Sequence, residues 1–181
     1  MQKTKTTRLT LAALFLALGW ALPYLTGQIP QIGSMLAPMH LPALLCGFVC
    51  GWPYGLIVGF VMPLTRSLLF GNMPPMLPTA LAMAFELATY GFVTGLLYRR
   101  LPRKPGSVYV ALVAAMLCGR AVWGLVSIPI YRLFTPNAFT VAAFWAGAFL
   151  KAWPGILLML VFVPLVVFAL ERAKLTEAYG A

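Results

Sequence analysis

The run HLPALLCGFVCGWPYGLIVGFVMPLTRSLLFG, residues 40–71, decides the fold. It is too long for one ordinary membrane-crossing helix and short for two, because a helical span takes about 20 mainly apolar residues. Its middle, Gly51-Trp52-Pro53-Tyr54-Gly55, carries a turn signal, since Gly and Pro punctuate helices. The run reads either as two short helices, 40–51 and 54–70, or as a single broken span.

Basic residues choose between the two. Apolar segments at 9–26, 77–98, 107–130 and 141–170 each read as a span, the last kinked or tilted by Pro154 and Pro164. Lys3, Lys5 and Arg8 precede the first, Arg99, Arg100, Arg103 and Lys104 follow the second of these, and Arg172 and Lys174 follow the last. Lys and Arg flanking spans collect on the cytoplasmic side. Two helices within 40–71 put all three clusters on one side, whereas one helix leaves the Arg99–Lys104 cluster outside. The expected fold is therefore all-α: a single domain over residues 1–181, an integral membrane bundle of six transmembrane helices with both termini cytoplasmic. Loops 27–39, 71–76 and 131–140 then face outward, carrying Gln28, Gln31, Ser34, Asn72, Arg132 and Asn137.

Composition agrees. The 181 residues are 62% hydrophobic and 9% charged, against about 25% charged in a soluble domain. Too few charges remain to cover a water-exposed surface, so the lipid bilayer is the expected solvent. The net charge of +10 comes from 13 Lys+Arg against 3 acids. Because the basic runs lie beside apolar segments, they read as topology signals and not as a nucleic-acid surface. Leu9 to Leu25 is long for a signal-peptide core and no clear small-residue cleavage site follows, so the segment reads as a retained first span. Cys46, Cys50 and Cys118 lie in apolar segments and His40 is the single histidine. No metal or other cofactor is expected from that set.

Ionisable residues inside spans are costly, about 2.5–3.5 kcal/mol each on insertion scales, and mark functional sites by default. Glu86, Arg120 and Lys151 are deep, and Arg66 is shallower. At ~1.5 Å per residue the first three fall about 13–15 Å below the outer surface, so the four can line one outward-opening cavity. Three cations face one anion. After Glu86 pairs with one of them about two positive charges remain, which favours a small carboxylate or phosphate as ligand. The competing reading is a structural Glu86–Arg120 pair, with Arg66 and Lys151 snorkelling to an interface. Tyr90, four residues beyond Glu86, and Trp123, three beyond Arg120, share their helix faces. With Asn72 at the outer mouth they complete the candidate substrate site: Arg66, Asn72, Glu86, Tyr90, Arg120, Trp123 and Lys151. His40, near the outer mouth, reads as an interfacial residue, with a gate residue as the alternative. No catalytic set is expected, because no second His and no paired acid stands inside the spans.

Ala13, Ala17 and Ala21 repeat at four-residue spacing in the first span. Such a stripe of small residues lets another helix approach closely, either a partner's or one of the same bundle.

The chain as a whole resembles the substrate-binding S component of energy-coupling-factor (ECF) vitamin transporters. The resemblance rests on its size, its span pattern, the Ala13/Ala17/Ala21 stripe and three segments. These are His40-Leu41-Pro42-Ala43-Leu44-Leu45-Cys46-Gly47, Pro63-Leu64-Thr65-Arg66-Ser67-Leu68-Leu69-Phe70-Gly71 and Ala82-Met83-Ala84-Phe85-Glu86-Leu87-Ala88. It implies a non-enzymatic transport subunit of an ABC-type importer that captures a vitamin or related micronutrient in its outer half, under the loops after spans 1, 3 and 5. It also implies that Ala13, Ala17 and Ala21 contact a transmembrane coupling subunit, that two cytoplasmic ATPase subunits hydrolyse ATP, and that the subunit topples in the membrane to release its cargo. This chain has no P-loop pattern of its own. The spare positive charge points to a carboxylate vitamin, with pantothenate first and biotin, folate, niacin or lipoate beside it, and riboflavin and cobalamin stay open. The alternative is a secondary transporter of a small organic anion, proton-coupled through Glu86.

Overall fold

The computed structural model describes residues 5–25, 35–71, 74–102, 104–135 and 139–172. Among these every regular element is a helix. Asn72, Gln28, Gln31, Ser34, Asn137, Lys3, Arg103 and Lys174 lie outside the described residues.

The deciding run folds as two helices, α2 (His40–Cys50) and α3 (Trp52–Leu69), after α1 (Lys5–Leu25). They part at Gly51, whose φ of 95° lies in the region that a side chain disfavours. Pro53 follows in the first turn of α3, where its missing N–H costs nothing. The GWPYG signal thus marks the break, one residue from the expected end of the first helix and two from the expected start of the second. Every residue of α2 is buried. A helix that is apolar all round belongs inside a bundle, and α2 packs against α1, α3, α4 and α7 as its core element.

Next come α4 (Leu81–Arg100), preceded by a wider turn at Met76–Ala80, and α5 (Pro105–Phe134). The expected last span is two helices, α6 (Val141–Leu150) and α7 (Trp153–Arg172), with Lys151 and Ala152 between them. Pro154 fits the break, since it cannot donate to the carbonyl four residues back and is tolerated only in the first turn of a helix, where α7 places it. Pro164 is absorbed within α7. Among the described residues four stretches are long and apolar enough to cross a membrane: Lys5–Tyr24, Met76–Arg100, Pro105–Phe134 and Trp153–Arg172.

Glycine sets how closely the central helices approach. Gly55 on α3 meets Gly91 on α4, with Gly59 against Leu87 and Gly95 against Trp52 on either side, small residues that permit a close helix crossing. A Cβ on Gly55 would stand 2.5 Å from the Gly91 carbonyl oxygen and 2.8 Å from the Gly47 Cα, and one on Gly91 would enter the Gly55 backbone. Gly55 opposite Gly91 and Gly59 opposite Leu87 make α3 and α4 antiparallel. At one end of the bundle the Tyr98 hydroxyl donates to Glu171 Oε1, tying α4 to α7.

On α1, Ala12, Phe15, Gly19 and Pro23 face the bundle, while Ala13, Ala17 and Ala21 are exposed on the opposite side with Leu9 and Leu14. The small-residue stripe is therefore not consumed by packing within the described chain.

Candidate functional site

The apolar centre holds one carboxylate. Glu86, 2% exposed, sits a turn and a half into α4, where α2 and α5 both reach it. Three side chains converge on its Oε1. Arg120 of α5 forms an ion pair at 3.0 Å. The Tyr90 hydroxyl, one turn along α4, donates at 2.8 Å. His40, at the start of α2, places Nε2 at 3.5 Å. The ring stands 5.3 Å from Tyr90, centroid to centroid, and its Nδ1 lies 3.1 Å from the Ala37 carbonyl oxygen. Gly119 lets this happen, since a Cβ there would occupy the place of the Tyr90 ring.

A carboxylate among apolar helices needs such partners, because an isolated buried charge costs far more than a buried neutral group. Helix spacing supplies two of them, Tyr90 through i,i+4 and Arg120 through the α4–α5 contact. His40 comes from 46 positions upstream and is buried, at 3% exposed, not interfacial as its sequence context suggested. Its sequence signal was only that it is the single imidazole in an apolar stretch.

The other candidates stand apart from this cluster. Arg66 is buried on α3, at 3% exposed. It donates from a terminal nitrogen to the Trp20 carbonyl oxygen at 2.5 Å, and its guanidinium lies 5.4 Å from the ring centres of both Tyr24 and Phe70. The Trp20 indole N–H donates to Thr65 Oγ1 at 3.1 Å, closing the same α1–α3 contact. Among the described residues Arg66 has no carboxylate partner. The α3–α4 register puts it about 9 Å along the bundle from Glu86 at ~1.5 Å per residue.

Trp123 is half-buried on α5 and joins α5 to α6. Its ring stacks with Phe144 at 6.0 Å and meets Phe139 edge-on at 5.3 Å. Lys151 is exposed in the break between α6 and α7. Ser127, seven residues beyond Arg120 on α5, is fully buried, and its hydroxyl has no hydrogen-bond partner among the described residues. A lone Ser in an apolar helix carries no sequence signal, because its hydroxyl ordinarily bonds to its own helix. Among the described residues no three His, Cys, Asp or Glu side chains gather as a metal site.

Chemically, the cluster is a polar island with donors of fixed direction. It offers a guanidinium, a phenol and an imidazole around one carboxylate, with an unpartnered hydroxyl further along α5. That suits orientation of a small polar molecule by hydrogen bonds.

Neither the comparison with curated proteins nor that with solved structures returns a match. The family model for the ECF transporter substrate-specific component matches residues 7–170, and the chain belongs to that family of membrane transport subunits.

Proposed function

We propose that this chain is the high-affinity capture subunit of an ECF-type importer for a carboxylate vitamin, with pantothenate the first candidate. It crosses the membrane six times with both termini cytoplasmic, α2 and α3 forming the second and third crossings and α6 with α7 the sixth. The cargo enters from the outer side and binds at the Glu86–Tyr90–Arg120 cluster, with Trp123 further along α5, in its contact with Phe139 and Phe144, lining the approach. Arg66, Asn72 and Lys151 belong to the outer approach. Arg66 contributes positive potential and not a direct bond, because its guanidinium is already engaged by the Trp20 carbonyl and two ring faces. Ala13, Ala17 and Ala21 receive a coupling subunit, and two separate ATPase subunits drive release.

The observation that carries this reading is the buried Glu86 carboxylate with Arg120, Tyr90 and His40 around it, inside a chain of this family. A transport subunit has reason to keep an expensive polar cluster at its centre, since intramembrane ionisable groups cost several kcal/mol if they only pack. The exposed alanine stripe supports the coupling half.

Purified protein analysed by native mass spectrometry tests it. A single bound carboxylate vitamin, absent from Arg120→Met, is the expected result. A protein that holds none, and that no vitamin in a thermal-shift panel stabilises, overturns it. Uptake of an organic anion by cells lacking any coupling subunit, abolished by Glu86→Gln, would instead support the proton-coupled secondary transporter.

A further inference from the structure

Arg120, Gly124, Ser127 and Tyr131 follow one another on α5 at four-, three- and four-residue spacing, so they share one face of the helix. Ser127 is fully buried, and its hydroxyl has no hydrogen-bond partner among the described residues. Other hydroxyls of this chain behave differently. Thr10, Thr65, Thr89, Thr94 and Thr135 each donate to the carbonyl four residues back, at 2.7–3.0 Å. That is the ordinary way for a helical hydroxyl to be satisfied. A buried hydroxyl without a partner is penalised by its lost hydration, so Ser127 calls for a partner that the described chain does not supply.

Two rings of the following segment lie on this face. Phe139 meets Tyr131 at 5.2 Å between centroids. Phe144 rests where Gly124 has no side chain, since a Cβ there would stand 2.6 Å from the ring. The Phe144 ring thus occupies a slot on α5 between Arg120 and Ser127. It is carried by α6, of which only Ala148 is buried, so moving the ring disturbs little of the core. On the other side, α4 and α5 run antiparallel through a short connection. The register that sets Gly119 against Glu86 brings Ser127 level with the wide turn Met76–Ala80, which α5 also contacts. Leu77 leaves helical dihedrals there, at φ −123° and ψ 134°. Irregular backbone at membrane depth is kept where it is buried in protein or lines a cavity.

We infer that Ser127 is a cargo-binding residue: the cargo takes the place of the Phe144 ring along this face, with its carboxylate at Arg120 and a hydroxyl or amide group at Ser127. Seven residues separate the two, about 10 Å along α5 at ~1.5 Å per residue. The cargo is then a carboxylate that carries a neutral hydrogen-bonding group about 10 Å from its charge. Extended pantothenate, with its terminal hydroxyl, and biotin, with its ureido group, meet that requirement. Nicotinate is too short, and lipoate ends in a disulfide that offers no N–H or O–H. The inference rests on the reading of the Glu86–Tyr90–Arg120 cluster as the binding site.

Ser127→Ala tests it through two readouts of opposite sign. Without cargo the variant should unfold at the same Tm as the wild type or a higher one, because it removes an unpaired buried hydroxyl. Its affinity for pantothenate or biotin, whichever the wild type binds, should fall about three- to tenfold, the worth of one neutral hydrogen bond. Nicotinate and lipoate should bind weakly, and equally to both proteins. In Phe144→Ala, which clears the ring from the slot, the same cargo should bind more tightly; weaker binding makes the ring a wall of the site and overturns its displacement. A lower Tm of Ser127→Ala without cargo marks a hydroxyl bonded within the fold and overturns the role of Ser127. Unchanged affinity in Ser127→Ala, with cargo still lost in Arg120→Met, does the same and leaves the cluster standing as the site. A wild type whose tightest ligand is nicotinate or lipoate refutes the length requirement, and one that binds none of the four fails the reading of the cluster itself.

Discussion

Replacing Arg120 by Met, alone and together with Glu86→Gln, separates stability from binding. In the native protein the guanidinium stands 3.0 Å from Glu86 Oε1, with the two side chains 12% and 2% exposed. Met keeps much of the stem volume but leaves the carboxylate without its strongest partner. Breaking a buried pair from one side costs about 3–5 kcal/mol. His40 at 3.5 Å and the Tyr90 hydroxyl at 2.8 Å remain on the same oxygen, so the cost should fall near 3 kcal/mol. For a chain of this size about 2–4 °C of Tm accompanies each kcal/mol, hence a drop of roughly 6–12 °C in thermal unfolding in detergent. The double variant removes the unpaired charge as well, and replacing a whole buried pair by neutral groups is often neutral or stabilising. It should therefore recover most of the lost Tm. Cargo retention, read by native mass spectrometry, should be lost in both. If the single variant is as stable as the double one, Arg120 does not hold Glu86 and the site's geometry is wrong. If the double variant regains stability and still retains cargo, the pair is structural and the binding site lies elsewhere.

Other expectations follow from separate parts of the molecule. Ala17→Leu on the exposed face of α1 should leave cargo binding unchanged and abolish co-purification with a coupling subunit, because a side chain on a small-residue stripe holds the partner helix away; retained co-purification would remove the stripe from the interface. Gly91→Val drives a side chain into the Gly55 backbone, and since overpacking costs about 1–3 kcal/mol or more, a clear fall in Tm is expected, against little change for the exposed Gly106→Ala. If the site selects a carboxylate, nicotinate should bind at least about tenfold better than nicotinamide when niacin is the cargo class, because hydrogen bonds to a charged group are worth about 1.5–3 kcal/mol; equal affinities would refute charge selection. Arg66→Met should lower stability, since it releases the α1–α3 contact at Trp20, while altering cargo affinity less than Arg120→Met does; the reverse ranking would place Arg66 in direct contact with the cargo.

The sequence by itself determined the solvent and the helices. Its apolar segments are long enough, and its charges few enough, that helices in lipid satisfy the backbone where no water can. The break at Gly51 was legible because a glycine followed closely by proline can mean little else inside an apolar run. Glu86 with Tyr90 was legible because both lie on one helix, where i,i+4 spacing fixes proximity. Pairing across helices was not, since apolar stretches carry no mark of which faces meet or in what register. Sequence depth put Arg66, Arg120 and Lys151 around one cavity, whereas only the packed bundle shows Arg120 on Glu86, Arg66 against α1 and Lys151 exposed at a helix break. His40 is the clearest case. Its place beside a carboxylate 46 residues away depends on how closely α2 and α4 approach, and glycine seams between helices decide that distance only once the chain has folded.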